Sequence, residues 1–280
     1  MPVGSSWTDI WGTTWQKEQE NVMGFPAVHP IAGAKDLSRY KLPNPNDERI
    51  IKKISEQAKG WDRENTFLVG AHRDILWAKL EKLCGMEKAM MFLYDEPEAL
   101  RGLLHGIMDF HLAMAGHYLK AGIEVMTLAE DLGTQASPLL PPDVIRDLLV
   151  PEYKRLFSLY RANGVYIFFH SCGNIMPIAD IFIGLGVNIL DPIQATANDL
   201  DELRRKTAGK LALHGGVNSA ILAKGDIREI EEETERRMLQ LGRNGGYFCT
   251  CDQHMPWKEE SIQAMRRTVE QRGRYPLSSQ

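Results

Sequence analysis

The chain has no long apolar run. No stretch approaches the roughly 18 consecutive apolar residues of a membrane span, and the opening Met-Pro-Val-Gly-Ser-Ser-Trp-Thr-Asp carries neither the basic nor the apolar region of an export signal. Cysteine is scarce, with four in 280 residues. That is too few for a disulfide scaffold, and Cys249 and Cys251 stand too close for a comfortable structural bridge, so an unexported, cytoplasmic protein is expected. Excess positive charge is also missing. The formal net charge is -4 and the isoelectric point is near 6.1, which offers no footprint for nucleic acid or anionic lipid. Finally, no glycine-rich dinucleotide fingerprint opens any predicted helix, so a nucleotide-binding doubly wound sheet loses its main support.

What is present is the composition of a soluble globular protein, 44% hydrophobic and 25% charged, which is enough to bury a large core. Residues 1–46 are rich in Trp, Gly and Pro and read as an irregular opening with a short strand pair. Trp7, Trp11 and Trp15 recur every four residues, but Gly12 and the following Thr13-Thr14 argue for strand or loop and for a packing role. Beyond them the pattern alternates. Strands are predicted over residues 66–70, 123–128, 165–169, 187–191, 211–214 and 247–250. Amphipathic helices are predicted over residues 47–60, 75–84, 97–120, 142–163, 175–185, 199–207 and 227–241, with Pro97 at a helix start and Gly122 as a stop. The charge run from Glu229 to Arg237 reads as a solvated helix face.

Strict alternation of strand and helix implies an α/β fold with a parallel sheet. Polar residues follow nearly every strand: His72, Glu130, His170, Asp191, His214 and Cys251. A (β/α)8 TIM barrel produces that distribution, because its site is assembled from loops at the carboxyl ends of many strands. The expectation is one barrel domain over residues 1–280. Six strands are identified, so residues 1–46 must supply the other staves or the barrel lacks its first strand. An incomplete barrel exposes sheet edges, and a covering partner or self-association would follow.

The central stretch is Val165 to Asn174, an apolar β-branched and aromatic run of the kind buried on both faces of a parallel sheet, ending in His-Ser-Cys-Gly-Asn. His170 and Cys172 are two residues apart and share one side of an extended backbone. Imidazole with thiolate suits zinc, although a lone His-x-Cys occurs often by chance. The alternative is a buried histidine with a buried thiol. Glu130 and Asp131 read either as a helix-start acidic pair or as groups facing the barrel mouth, where Glu130 would be an exchangeable fourth ligand or a partner to one. His72, His214 and His254 either take part in the chemistry or only position loops. Asn174, Gln194 and Asn218 offer donors that shape a substrate site, and Gln135 sits in the polar turn after Glu130.

Taken in order, seven segments carry a resemblance: Glu-Asp-Leu-Gly-Thr-Gln (130–135), Pro-Pro-Asp-Val (141–144), Pro-Glu-Tyr-Lys-Arg (151–155), His-Ser-Cys-Gly-Asn (170–174), Gly-Val-Asn-Ile-Leu-Asp-Pro-Ile-Gln (186–194), His-Gly-Gly-Val-Asn (214–218) and Gly-Gly-Tyr-Phe (245–248). Over residues 66–270 the chain resembles the uroporphyrinogen decarboxylase superfamily. The resemblance implies a (β/α)8 barrel and one of two chemistries: cofactor-free decarboxylation of a tetrapyrrole, or zinc-dependent methyl transfer to or from corrinoid proteins. The decarboxylases carry an Arg-Gln-Ala-Gly-Arg stretch that grips carboxylates, and this chain has none. The methyltransferases ligate zinc with His-x-Cys and a late Cys, a pattern that His170, Cys172 and Cys251 match, although the spacing after Cys251 departs from the usual one and Cys249 is a competitor.

That resemblance implies a zinc-dependent, corrinoid-linked methyltransferase, closest to the methylcobamide:coenzyme M methyltransferases. Its metal ligands would be His170, Cys172 and Cys251, and its catalytic groups Glu130 and His254. Its substrate would be bound by His72, Asp131, Gln135, Asn174, Gln194, His214 and Asn218. Three ligands leave zinc an open position, where it would hold a thiolate acceptor or polarise an O-methyl or N-methyl donor. Cobalamin would arrive on a separate corrinoid protein, because no Asp-x-His-x-x-Gly segment is present to ligate it. Tetrapyrrole decarboxylation and a non-catalytic zinc or tetrapyrrole carrier are the alternatives.

Overall fold

The computed structural model describes residues 1–20, 23–253, 255 and 257–277. Two compact units divide them: residues 1–130 with 147–165, and residues 131–146 with 166–280.

The first unit opens on a three-stranded antiparallel sheet, β1 (Ser6–Thr8), β2 (Thr14–Gln16) and β3 (Phe25–Val28). The cause lies in the first turn, where the Asp9 carboxylate accepts from the backbone N–H of Trp11 (2.9 Å) and Thr13 (3.1 Å) and from Trp15 Nε1 (2.8 Å) while Gly12 takes φ +81°. The chain folds back and Trp7 stacks on Trp15 with ring centroids 6.4 Å apart. Trp11 is buried, edge-on to Phe110 at 4.7 Å. These residues therefore build their own antiparallel sheet. They do not supply the missing parallel staves, contrary to the first of the two possibilities raised by the sequence.

Two parallel strands follow, β4 (Val69–His72) and β5 (Val125–Ala129), in register from Val69 opposite Val125 to His72 opposite Leu128. The helix Glu48–Lys59 precedes them, capped by Asp47, whose side chain accepts from Arg49 N. Between the strands lie helices Trp77–Cys84, Met86–Asp95 and Pro97–Ala121. Gly122 ends the last of these in the left-handed region, as its position predicts. Met86–Asp95 is an additional helix, separated from its predecessor only by Gly85 at φ +82°.

In the second unit β6 (Tyr166–His170), β7 (Ile189–Ile193), β8 (Ala212–Val217) and β9 (Tyr247–Cys251) pair in chain order, all parallel. Asp199, Asn218 and Asp226 cap the helices that follow them, accepting from Glu202 N, Ala220 N and Glu229 N. The strand β6 is covered on one face only. Ile167 and Phe169 are fully buried, with Phe169 packed on Phe182, whereas Tyr166 is 53% exposed. Alternation wins over the continuous apolar run because no element among the described residues of this unit covers the Tyr166 face. The helix Ile227–Gly242 is likewise less solvated than its charges suggest: Glu233 is buried and answered by Arg237 Nε at 2.8 Å and by Arg236.

The architecture is α/β, and among the described residues all six predicted parallel strands are present, two fewer than the eight of a complete barrel. No described helix is long and apolar enough to cross a membrane. One edge of β4 and one edge of β9 carry no strand among the described residues, and Phe248 on β9 is 50% exposed. Free edges template pairing with another chain. Purified protein should therefore sediment as a dimer or larger species at micromolar concentration, and a monomer throughout that range would contradict this expectation.

Candidate metal centre

The second unit gathers an imidazole, a thiol and a carboxylate at its strand ends. His170 closes β6, Cys172 lies two residues beyond, and Asp131 comes from the loop that opens this unit; their ligand atoms all lie within 4.8 Å of one another. His170 Nε2 is 3.4 Å from Cys172 Sγ and 3.9 Å from Asp131 Oδ1. Two glycines make this approach possible. A Cβ on Gly133 would collide with the Cys172 carbonyl and one on Gly173 with the Gly133 backbone, so the two loops touch main chain to main chain. Ser171 Oγ accepts from Leu132 N at 3.0 Å and Asn174 N donates to the Thr134 carbonyl at 2.6 Å, which fixes the contact.

The other face of His170 is held by Asp191 of β7. Asp191 accepts from His170 Nδ1 through Oδ2 and from His214 Nδ1 through Oδ1, both at 2.6 Å. This turns Nε2 of His170 toward Cys172 and Asp131, the tautomer a metal-ligating histidine needs. Burial alone would lower the His170 pKa, but the hydrogen bonds to Asp191 and Cys172 outweigh it and push the ring up to about 10. Burial would raise Asp191, and its two histidines instead hold it below the usual carboxylate range. The arrangement thus favours a positive charge at the His170 position. Soft thiolate with imidazole and one carboxylate is a donor set that zinc accepts, with the cation replacing the proton. Gln253 Nε2 donates to Cys172 Sγ at 3.3 Å, and its loop is pinned by Asp252, which accepts from Ala195 N and Ser219 N.

Beside the three donors is a cleft of about 450 Å3 lined by Asp131, Gln135, Cys172, Gln194, Gln253 and Met255, among others. Of the residues expected to bind substrate, Asp131, Gln135 and Gln194 meet there, with Gln194 Oε1 accepting from Gly173 N. Asp131, at 60% side-chain exposure, joins the ligand cluster itself. His214 is held by Asp191. Asn174 donates to the Ala136 carbonyl at 3.1 Å, and Asn218 caps the helix Ser219–Lys224. His72 belongs to the first unit, buried against Tyr160 and His111. Cys251 is not among the clustered donors. It packs with Cys249 beside Val217, Leu222 and Ile230, and burial raises its thiol pKa, with Asp191 adding to the rise; burial pushes Cys249 up to about 11. His254 lies outside the described residues.

Glu130 has a structural task within the first unit. Its carboxylate is buried and accepts from Leu76 N (2.5 Å), Trp77 N (3.2 Å) and Ala78 N (2.8 Å), the free amides at the start of the helix Trp77–Cys84. Both oxygens are thereby engaged. Asp191 and Gln253 were missing from the expected site residues. Asp191 was visible as a polar strand end, but its bridging of two histidines depends on cross-strand register, and Gln253 carried no signal.

This fold and donor set define an α/β strand-end site fit for a divalent metal. Matching the uroporphyrinogen decarboxylase (URO-D) family model over residues 22–272, the chain belongs to that family. Among solved structures it is similar to a methyltransferase from Methanosarcina mazei, with a TM-score of 0.73 at 18% identity over 94% of this chain and 76% of that one. It is also similar to a B12-independent methionine synthase from Shewanella sp. W3-18-1, with a TM-score of 0.54 at 11% identity over 79% and 65% of the two chains. No curated protein matches the sequence.

Two outcomes follow from these contacts. Glu130→Gln leaves a buried backbone N–H facing an amide NH2, at a cost of roughly 1–3 kcal/mol. Its melting temperature should fall while its capacity to take up added zinc matches that of the wild type; weakened zinc uptake with unchanged melting would make Glu130 a ligand instead. The second concerns pH in metal-stripped protein. The folded pKa of His170 lies above the unfolded value of 6.5, so its contribution to stability is full below 6.5 and is lost as pH rises through about 10. Urea denaturation of wild type and His170→Gln should show a gap that narrows across that window, and a gap that widens with pH would contradict the assignment.

Proposed function

We propose that this chain is a zinc-dependent methyltransferase that moves a methyl group between a corrinoid protein and a small thiol or an O-methyl or N-methyl substrate. The observation that carries the reading is the meeting of His170, Cys172 and Asp131 within ligand distance beside an open cleft. When bound, zinc would supply a Lewis acid that stabilises a thiolate or polarises the heteroatom that releases the methyl group.

The protein's own residues supply the rest. His170 and Cys172 would hold the metal, with Asp191 keeping His170 in the ligating tautomer and Gln253 donating to the Cys172 sulfur. Asp131 is the exposed member of the set and would hold the position nearest the cleft, where substrate enters. Cys251, at the end of β9 and two residues before Gln253, is the late thiolate that the family resemblance assigns to the shell, although it packs apart from the three clustered donors and would have to turn out of its apolar contacts to join them. Gln135 and Gln194 line the cleft and orient the substrate, with His214 at the second Asp191 oxygen. Cobalamin arrives on a partner corrinoid protein, and the reaction is placed in the cytoplasm.

Tetrapyrrole decarboxylation requires cations that grip several carboxylates, and no Lys or Arg is among the described residues lining the cleft. Fold similarity to the Methanosarcina mazei methyltransferase is compatible with methyl transfer, and the His170, Cys172 and Asp131 donor set, which a cofactor-free decarboxylation does not need, is what favours it.

Metal analysis of protein prepared without chelators should find about one zinc per chain, since structural and catalytic zinc sites hold metal tightly. His170→Ala, Cys172→Ala and Cys251→Ala should each lower occupancy and the thiol-dependent demethylation of methylcobalamin together, by at least about 10-fold. Asp131→Asn should lower turnover more than occupancy. Full turnover in chelator-treated protein would end the zinc reading, and stoichiometric zinc without methyl transfer to or from any cobalamin would favour a carrier.

A further inference from the structure

The first unit contains a cavity of its own, about 610 Å3, that shares no residue with the metal constellation. Its wall is apolar: Ile50 and Ile54 of the helix Glu48–Lys59 face Trp11, Phe110, Met114 and Tyr118 across it. At its inner end are two buried imidazoles, His72 at 4% and His111 at 3% exposure, with their Nδ1 atoms 3.1 Å apart. One ring must donate to the other, so the pair shares a proton, and His72 Nε2 continues the chain to the Tyr160 hydroxyl at 2.6 Å. Burial holds His72 down to about 3 and His111 well below the usual histidine range, so both rings stay neutral. His111 Nε2 is buried without a partner in hydrogen-bond geometry, although the Ile75 carbonyl favours a proton on this ring.

The mouth has a different character. Arg49, Lys53 and Arg73 line it against a single carboxylate, Asp47, which Arg49 already engages at 3.0 Å through Nε. Lys53 and Arg73 have no acidic partner within ion-pair distance among the described residues. Arg73 follows His72 directly and precedes Asp74, which takes φ +53°, a left-handed conformation uncommon outside glycine, and is tied to Lys79 Nζ at 3.7 Å. The backbone is therefore held in an unusual shape where it presents the guanidinium to the cavity. Strained backbone of this kind concentrates at ligand sites.

An apolar wall, a neutral polar floor and unanswered cations at the entrance select among ligands. A cation is repelled, a neutral apolar body leaves the guanidinium unused, and a polyanion would have to shed water into a wall with few donors. We propose that this cavity binds a small amphipathic carboxylate, its apolar body against Trp11, Phe110 and Met114 and its carboxylate paired with Arg73. Guanidinium–carboxylate pairing is bidentate and short, which makes Arg73 the group that sets the charge preference. Nothing in this assignment depends on methyl transfer.

Isothermal titration of metal-stripped full-length protein with 2-naphthoate, 2-naphthalenemethanol and 2-naphthylmethylamine tests it, with the metal removed so that no carboxylate binds there. The carboxylate should bind at least tenfold tighter than the alcohol or the amine. Arg73→Gln should erase that preference, and Met114→Trp, which fills the cavity, should abolish binding of all three. Equal affinities for carboxylate and amine, no binding at millimolar concentration, or a preference that survives Arg73→Gln would overturn the proposal. Should either variant fail to melt cooperatively, the carboxylate-to-amine ratio on wild-type protein decides.

Discussion

The Asp191 carboxylate accepts a hydrogen bond from two imidazoles at once, and the arrangement of the second unit's site depends on it. The parallel register of β6 and β7 sets His170 opposite Asp191, and β8 brings His214 to the other oxygen. A half-buried carboxylate with two N–H donors stays ionised, and its charge in turn favours a cation at His170. Each ring therefore presents Nε2 away from Asp191. One of these nitrogens meets Cys172 and Asp131. Removing Asp191 would leave His170 free to rotate and would take away the negative charge that favours a cation there.

A second constraint is backbone proximity. Gly133 and Gly173 allow two loops to approach more closely than any side chain permits, and that contact sets Asp131 beside Cys172. The glycines perform no chemistry, yet a methyl group on either would separate the carboxylate from the thiol. In the first unit Glu130 works in the same spirit, anchoring the helix Trp77–Cys84 by its first amides.

Local patterns made much of this legible in the sequence. Six strands follow from short apolar runs between glycines and polar turns, and the pairing of His170 with Cys172 follows from a two-residue spacing at a strand end. Helix limits set by Asp47, Pro97 and Gly122 were equally local. What could not be read depends on register or on contacts distant in sequence. Asp191 looked like one more polar strand end and Gln253 like a loop residue, and the meeting of Asp131 with His170 and Cys172 joins two loops distant in sequence. The carboxylate of Glu130 was visible, but the three backbone amides that occupy it belong to a helix about fifty residues earlier. The three-stranded sheet within residues 1–46 enlarges the short strand pair expected there, and the Asp9 turn that reverses the chain is a side-chain capping event that periodicity does not report. Glu233 turned inward within a charged run for a similar reason, since two arginines on its own helix neutralise it.

The proposed metal shell consists of this chain's own sulfur, imidazole and carboxylate donors. X-ray absorption at the zinc edge of the purified, zinc-loaded protein tests it most directly. The predicted spectrum contains zinc–sulfur scattering near about 2.3 Å together with nitrogen and oxygen neighbours near about 2.0–2.2 Å that include the outer-ring signature of imidazole. A shell of oxygen alone, with neither sulfur nor imidazole, would contradict it.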